Sequence, residues 1–172
     1  MIYIGIDPGL DGAIAIYDPT LDESYHPERR LSFHDMPTLA ITRGKTKKRE
    51  VDAFALRSLL LKHAPRLDRR VIIEQSGPMA RDGSMQAWKT GCGWGIVYGV
   101  VVGIGIPISI VTVQRWKKAM GATADKDLSR KLAMSAFPEQ ADHLSRKKDD
   151  GRAEAALIAL YAERLERAPM PG

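Results

Sequence analysis

MIYIGIDPGLDGAIAIYD, residues 1–18, decides the fold. Ile2, Ile4 and Ile6 alternate with Tyr3, Gly5 and Asp7, a period of two that predicts a strand. Pro8, Gly9 and Gly12 mark a turn, and Ala13 to Tyr17 reads as a second, nearly all-apolar strand. The result is a hairpin whose first strand ends on a carboxylate, Asp7. A buried carboxylate is costly unless it is paired or binds a metal. Taken alone, Asp7 reads equally well as a turn-capping residue. The positions of the other acids separate the two readings.

The chain has 172 residues, enough for one domain with a real core. Its apolar fraction of 44% and charged fraction of 27% are those of a water-soluble globular protein. The formal net charge of +5 favours an anionic partner, of which nucleic acid is the commonest. A single cysteine, Cys92, excludes an internal disulfide and a cysteine-built zinc site, and it suits a reducing compartment. The N-terminus reads as a strand with an early acid, not as a basic segment followed by an apolar run, so no secretory signal is expected. Gly91 to Val113, GCGWGIVYGVVVGIGIPISIVTV, carries no charge and is long enough to span a bilayer. Its glycines and Pro107 argue instead for a glycine-rich helix, a turn and a buried strand, with no membrane contact.

Beyond the first hairpin, Arg30 to Met36 alternates and predicts a third strand, completing an antiparallel meander. Pro37 to Glu50 contains Arg43, Lys45, Lys47, Lys48 and Arg49 with little apolar content, and reads as a solvated, mobile loop able to contact phosphate. Asp52 is placed to cap a helix over Ala53 to His63. Arg70 to Gln75, RVIIEQ, reads as a short buried strand, and it too ends near a carboxylate, Glu74. In a parallel pair, Asp7 and Glu74 would project at the same carboxyl edge, where open α/β sheets place their sites.

A helix is expected from Ser84 to about Gly105. Gly95, Gly99 and Gly103 recur every four residues and share one face, which we read as close packing on the domain's own sheet, with a dimer contact as the other reading. Trp88 and Trp94 suit core or interface roles. Ile108 to Val113 predicts the next strand, followed by a basic, Trp-bearing helical turn from Gln114 to Met120. Asp127 to Phe137 predicts a further helix closed by Pro138.

The last helix, Asp149 to about Arg167, is amphipathic, with Ala153, Ala156, Leu157, Leu160 and Tyr161 at three-four spacing. Acids in its first turn could simply complement the helix dipole. Asp150 and Glu154, however, lie four apart, about 40° around the helix, and Leu157 and Tyr161 continue their stripe. Asp149 fits that face less well. Several carboxylates at one sheet edge repel each other and need cations. Magnesium takes oxygen ligands from carboxylates and substrate phosphates.

IGIDPGLDGAIAIYD, VIIEQSGP, the ADK of Ala124 to Lys126, and KKDDGRAEAALIALY together resemble the RuvC-type Holliday junction resolvases of the ribonuclease H-like fold. The closing motif and GCGWGIVYG resemble the branch found in chloroplasts and some phages. The resemblance covers nearly the whole chain and implies one α/β domain over residues 1–172. It implies a mixed five-stranded sheet, three strands antiparallel and then two parallel, flanked by helices. It further implies a homodimer that binds a four-way DNA junction and makes two symmetric nicks with two magnesium ions per site, manganese substituting. Asp7 matches the first catalytic acid of that family and Glu74 the second. Glu154 takes the place of the final acid. No acid stands three residues after Asp149 or Asp150, which departs from the bacterial motif, and Asp150 is chosen as the partner of Glu154 ahead of Asp149. Lys117, Lys118 and Lys126, then Arg81 and Lys89, are the DNA-binding candidates by motif neighbourhood. A cytoplasmic, nucleoid-associated location is implied, with phage or prophage encoding compatible.

Three other readings compete. A nuclease of the same fold could act on other branched, single-stranded or hybrid nucleic acid, since fold does not settle substrate. An actin-like phosphotransferase would need a second nucleotide-binding lobe. A catalytically silent junction-binding protein would have no need of the acids.

Overall fold

The computed structural model describes residues 1–21, 27–44, 46–63, 68–77 and 82–167. In chain order the strands are β1 (Ile2–Ile6), β2 (Ala13–Tyr17), β3 (Leu31–Asp35), β4 (Thr38–Arg43), β5 (Thr46–Val51), β6 (Arg69–Gln75) and β7 (Ile108–Thr112). The helices are α1 (Pro27–Arg30), α2 (Ala53–His63), α3 (Ser84–Gly103), α4 (Val113–Met120), α5 (Lys126–Ala136) and α6 (Asp150–Arg167). A five-stranded sheet runs in the order β3-β2-β1-β6-β7. β1 pairs antiparallel with β2 and parallel with β6, and β6 pairs parallel with β7. This is the predicted sheet of three antiparallel and two parallel strands.

All five residues of β1 are buried because both faces of the sheet are covered. Ile2, Ile4 and Ile6 join Val71 and Ile73 beneath Leu56 and Leu60 of α2 and Val97 and Val101 of α3. On the other face, Tyr3, Ala13, Ala15 and Ile72 pack with the alanine-rich side of α6. Two glycines set how closely α6 approaches. A Cβ on Gly5 would lie 2.1 Å from the Ala155 carbonyl oxygen, and one on Gly151 would lie 2.7 Å from the Asp11 carbonyl oxygen. The start of α6 is thus pressed against β1 and its turn, which puts Glu154 beside the end of β1. Gly5→Ala is expected to force α6 outward and cost about 3 kcal/mol, the upper range for overpacking. That corresponds to a Tm roughly 6–12 °C lower by calorimetry; an unchanged Tm would contradict this packing.

Two expectations are corrected. The basic stretch from Pro37 to Glu50 is not a loop: β4 and β5 pair antiparallel from Thr38↔Val51 to Arg43↔Thr46. Gly44, at φ 62°, makes the reversal possible. The charges masked a strand pattern that the tight turn and cross-strand pairing stabilise. Lys45 lies outside the described residues. The second correction concerns Gly95, Gly99 and Gly103, which do not pack on the sheet. All three are exposed, and a Cβ on any of them would meet nothing within 4 Å. Val97 and Val101 are the inward positions, and glycines two residues away face roughly the opposite side of the helix. Gly91 to Val113 divides into the end of α3, a turn and β7, which is a largely exposed edge strand where a buried one was expected, and among the described residues no helix is long and apolar enough to cross a membrane.

Candidate active site

Asp7 follows β1 directly. Its N–H donates to the Ala13 carbonyl at 3.0 Å, and its Oδ1 accepts from the Gly9 N–H at 3.1 Å. A Cβ on Gly12 would sit 2.8 Å from the Asp7 Cγ, so only glycine leaves room for this carboxylate in the turn. Burial pushes the Asp7 carboxyl up to about 6; the Gly9 hydrogen bond opposes this, the Glu154 charge adds to it, and Lys126 and Lys117 oppose it. Glu74, next to last in β6 and 9% exposed, is pushed up to about 7, again chiefly by burial. A hydrogen bond from Trp116 opposes the rise, Asp7 and Glu154 reinforce it, and Lys117 lowers it. The parallel β1–β6 register, Ile6↔Ile73, brings the two strand-end acids level. Asp7, Glu74 and Glu154, from β1, β6 and α6, are therefore within one another's field.

Lys117 reaches into the cluster from α4, its Nζ 2.6 Å from Glu154 Oε1, with both side chains largely buried. A residue chosen as a DNA contact is here the counter-ion of an acid. Asp150 takes other partners. Arg130 hydrogen-bonds one of its oxygens, and Lys126 Nζ lies 3.6 Å from the other. Asp149, 2% exposed, accepts from the Arg146 backbone N–H and guanidinium at 2.9–3.0 Å, closing the turn ahead of α6. The sequence placed Asp150 and Glu154 on one stripe but did not show that each carries its own cation. Arg130 was missed as a site residue; its i+4 spacing from Lys126 on α5, which puts both on one face, was the available signal.

A cleft of about 750 Å³ is lined by Asp7, Asp149, Asp150 and Glu154 and by the cations Arg49, Lys126, Arg146, Lys147, Lys148 and Arg152, with Glu74 and Lys117 outside its lining. Arg49 of β5 binds Asp11 at 2.9 Å and so ties the basic hairpin to the turn after Asp7. Lys118 is exposed on α4, and Lys89 is exposed on α3 and does not line the cleft. Arg81 lies outside the described residues.

The donors suit a hard divalent cation, being carboxylate oxygens in a partly dry pocket. Asp7 and Glu74 are charged only at a cost, which a cation would relieve. Among the described residues, no three acidic, histidine or cysteine side chains stand close enough to hold an ion as they lie. The Lys117 ammonium also occupies one of the Glu154 oxygens a cation would use.

Over 97% of this chain and 96% of the other, the structure matches T. thermophilus RuvC in complex with a Holliday junction substrate, at a TM-score of 0.59 and 15% identity. A second Thermus thermophilus RuvC structure matches over 96% and 97% at a TM-score of 0.56 and 16% identity. The fold is that of RuvC. At sequence level the chain is 37% identical over 83 residues to the chloroplastic Holliday junction resolvase MOC1 of Chlamydomonas reinhardtii. That stretch is 47% of this chain and 9% of the larger protein. No family model matches the chain. Both findings support the resemblance to RuvC-type resolvases read from the motifs. On the RuvC fold the three acids sit at the carboxyl edge of the parallel strands, where sites of open α/β sheets form.

Proposed function

We propose that this chain is a structure-selective endonuclease that resolves four-way DNA junctions by paired symmetric nicks. The observation that carries this reading is that Asp7 and Glu154 line one cleft with lysine and arginine, while the Glu74 carboxyl, level with Asp7 across the parallel β1–β6 pair, feels both their charges. An acidic floor with a basic rim fits a phosphodiester that is held by cations and cut by metal. Two magnesium ions held by Asp7, Glu74, Glu154 and Asp150, with manganese able to substitute, would supply the charge that ionises a water and stabilises the leaving 3′ oxygen. Near neutral pH Glu74 is partly protonated and Asp7 mostly ionised, and a bound cation would favour the ionised form of both. Lys117 neutralises Glu154 until that oxygen is needed. Arg49, Lys126 and the Arg146–Lys148 segment hold the backbone phosphates beside the cleft, a positioning role without sequence readout.

A homodimer fits the same reading, because a junction presents two strands to be cut. The face of α3 that carries Gly91, Gly95, Gly99 and Val102 is exposed, and Lys89 is the helix's single charged residue. Small residues on such a face let two helices approach closely. A location beside DNA follows from the proposed substrate. In the decisive experiment, purified protein and magnesium are incubated with a labelled synthetic four-way junction, with duplex and RNA–DNA hybrid controls. Sedimentation of the same sample reads its oligomeric state. Paired nicks on opposing strands of the junction alone are expected from a dimer. Equal cutting of hybrid or single strands by a monomer would assign the fold to a different nuclease.

A further inference from the structure

We infer that Trp116 is a positioning residue for the acidic cluster: its indole aims the Glu74 carboxylate, while Trp94 holds the backbone from which that carboxylate springs. The inference rests on the metal-dependent nuclease reading. Trp116 Nε1 donates to Glu74 Oε2 at 2.7 Å, and Trp94 Nε1 donates to the Glu74 carbonyl oxygen at 2.9 Å. Trp116 is fully buried, and Trp94 is stacked on Tyr98 with ring centroids 5.2 Å apart. Glu74 is therefore fixed at main chain and side chain by two donors from two different helices.

The chemistry of the donor matters. An indole N–H donates only, carries no charge and does not titrate. It can hold one carboxylate oxygen without competing for the cation that the same carboxylate would bind. It also spends only one of roughly four lone-pair sites, leaving Oε1 unused by the bond. The next residue, Lys117, does the opposite, placing a positive charge on Glu154. The short helix α4, capped by Thr112 and ended by Gly121 in the left-handed region, thus presents a neutral clamp and a displaceable cation side by side. Partners of metal-binding carboxylates fix ligand orientation, and their loss costs roughly 10–100-fold in metal affinity or activity.

Trp116→Phe keeps a large apolar ring in the core and deletes the donor. With the full chain and no DNA, manganese binding by calorimetry is expected to weaken roughly 10–100-fold. Magnesium for half-maximal junction cleavage should rise by a similar factor, with metal-free junction binding unchanged. A purely structural role would lower Tm and leave metal affinity alone. The wild-type protein gives an independent readout, since its three tryptophans yield three indole N–H signals by NMR. The Trp116 signal should move on magnesium addition while that of exposed Trp88 stays. The inference is overturned if Trp116→Phe binds manganese and cuts like wild type. It is equally overturned, should that variant not fold, if the wild-type Trp116 signal ignores bound metal. A wild-type chain that neither binds divalent ions nor cuts would instead sink the nuclease reading beneath it.

Discussion

Asp7→Asn is expected to leave junction binding within about twofold of wild type and to lower single-turnover cleavage by roughly three orders of magnitude or more, a loss of about 4 kcal/mol of transition-state stabilisation. The substitution is nearly isosteric. The amide oxygen can still accept the Gly9 N–H that Asp7 Oδ1 accepts at 3.1 Å, so the turn should survive. What disappears is an anion at the centre of the cluster, the group whose charge Glu74 feels directly. The phosphate-holding rim of Arg49, Lys126 and Lys147 is untouched. Mobility shifts without metal, alongside junction cleavage with magnesium, separate binding from chemistry. Cleavage at the wild-type rate would remove Asp7 from the mechanism and the acidic cluster from the function.

The second large effect is on stability. The metal-free protein should become less stable as pH rises from about 4 to about 8. Folding raises the Asp7 carboxyl from 3.8 to about 6 and that of Glu74 from 4.5 to about 7. Over that window the folded chain holds protons that the unfolded chain has released, so stability falls with rising pH. Below the unfolded values both states are protonated and the penalty is absent; above about 7 it is fully present. Each carboxyl shift of about two units is worth about 3 kcal/mol, but His34, lowered by burial from 6.5 to about 4, stays neutral in the folded chain and works the other way by a similar amount; the net loss of about 2–3 kcal/mol predicts a Tm roughly 4–12 °C lower at pH 8 than at pH 4.5. Asp35 and Asp149 are held below the usual carboxylate range and stay ionised over most of this window. Magnesium or manganese at pH 8 should recover the loss, because it binds the ionised acids of the folded state. The double variant Asp7→Asn, Glu74→Gln should remove the fall, leaving the rise toward neutral pH that the buried His34 produces, and abolish the metal effect. A stability difference between wild type and the double variant that stays constant from pH 5 to 8 without metal would show that these carboxyls are not raised by folding.

Much of the site was legible because strand periodicity and position carry it. A carboxylate that ends a buried strand has its direction fixed by the sheet, so Asp7 and Glu74 could be placed at one edge from two short motifs. Glu154 was legible because helical spacing sets it on the stripe of Leu157 and Tyr161. The partners were not legible. Lys117 and Lys126 are one type of residue in one basic region, yet one neutralises Glu154 and the other approaches Asp150. Arg146 and Arg130 likewise divide Asp149 and Asp150 between them. Which cation meets which acid depends on how α4, α5 and α6 dock, and side-chain type does not encode that. The β4–β5 hairpin was hidden for a different reason: its strands are stabilised by each other and by a glycine turn, with little apolar pattern to betray them.

The sequence by itself determined the strands, the antiparallel meander and the placing of Asp7 and Glu74 at strand ends, because alternation and turn chemistry act locally; the parallel half of the sheet was implied by the resemblance of its motifs to RuvC-type resolvases. Only the tertiary structure decided that Asp150 and Glu154 answer to different cations, that the glycines of α3 face outward, and that two tryptophans 22 residues apart close on Glu74. Those features depend on distances between elements remote in the chain. Such distances are set by the sum of close contacts, the approach of α6 to Gly5 foremost among them, and no single segment carries that information.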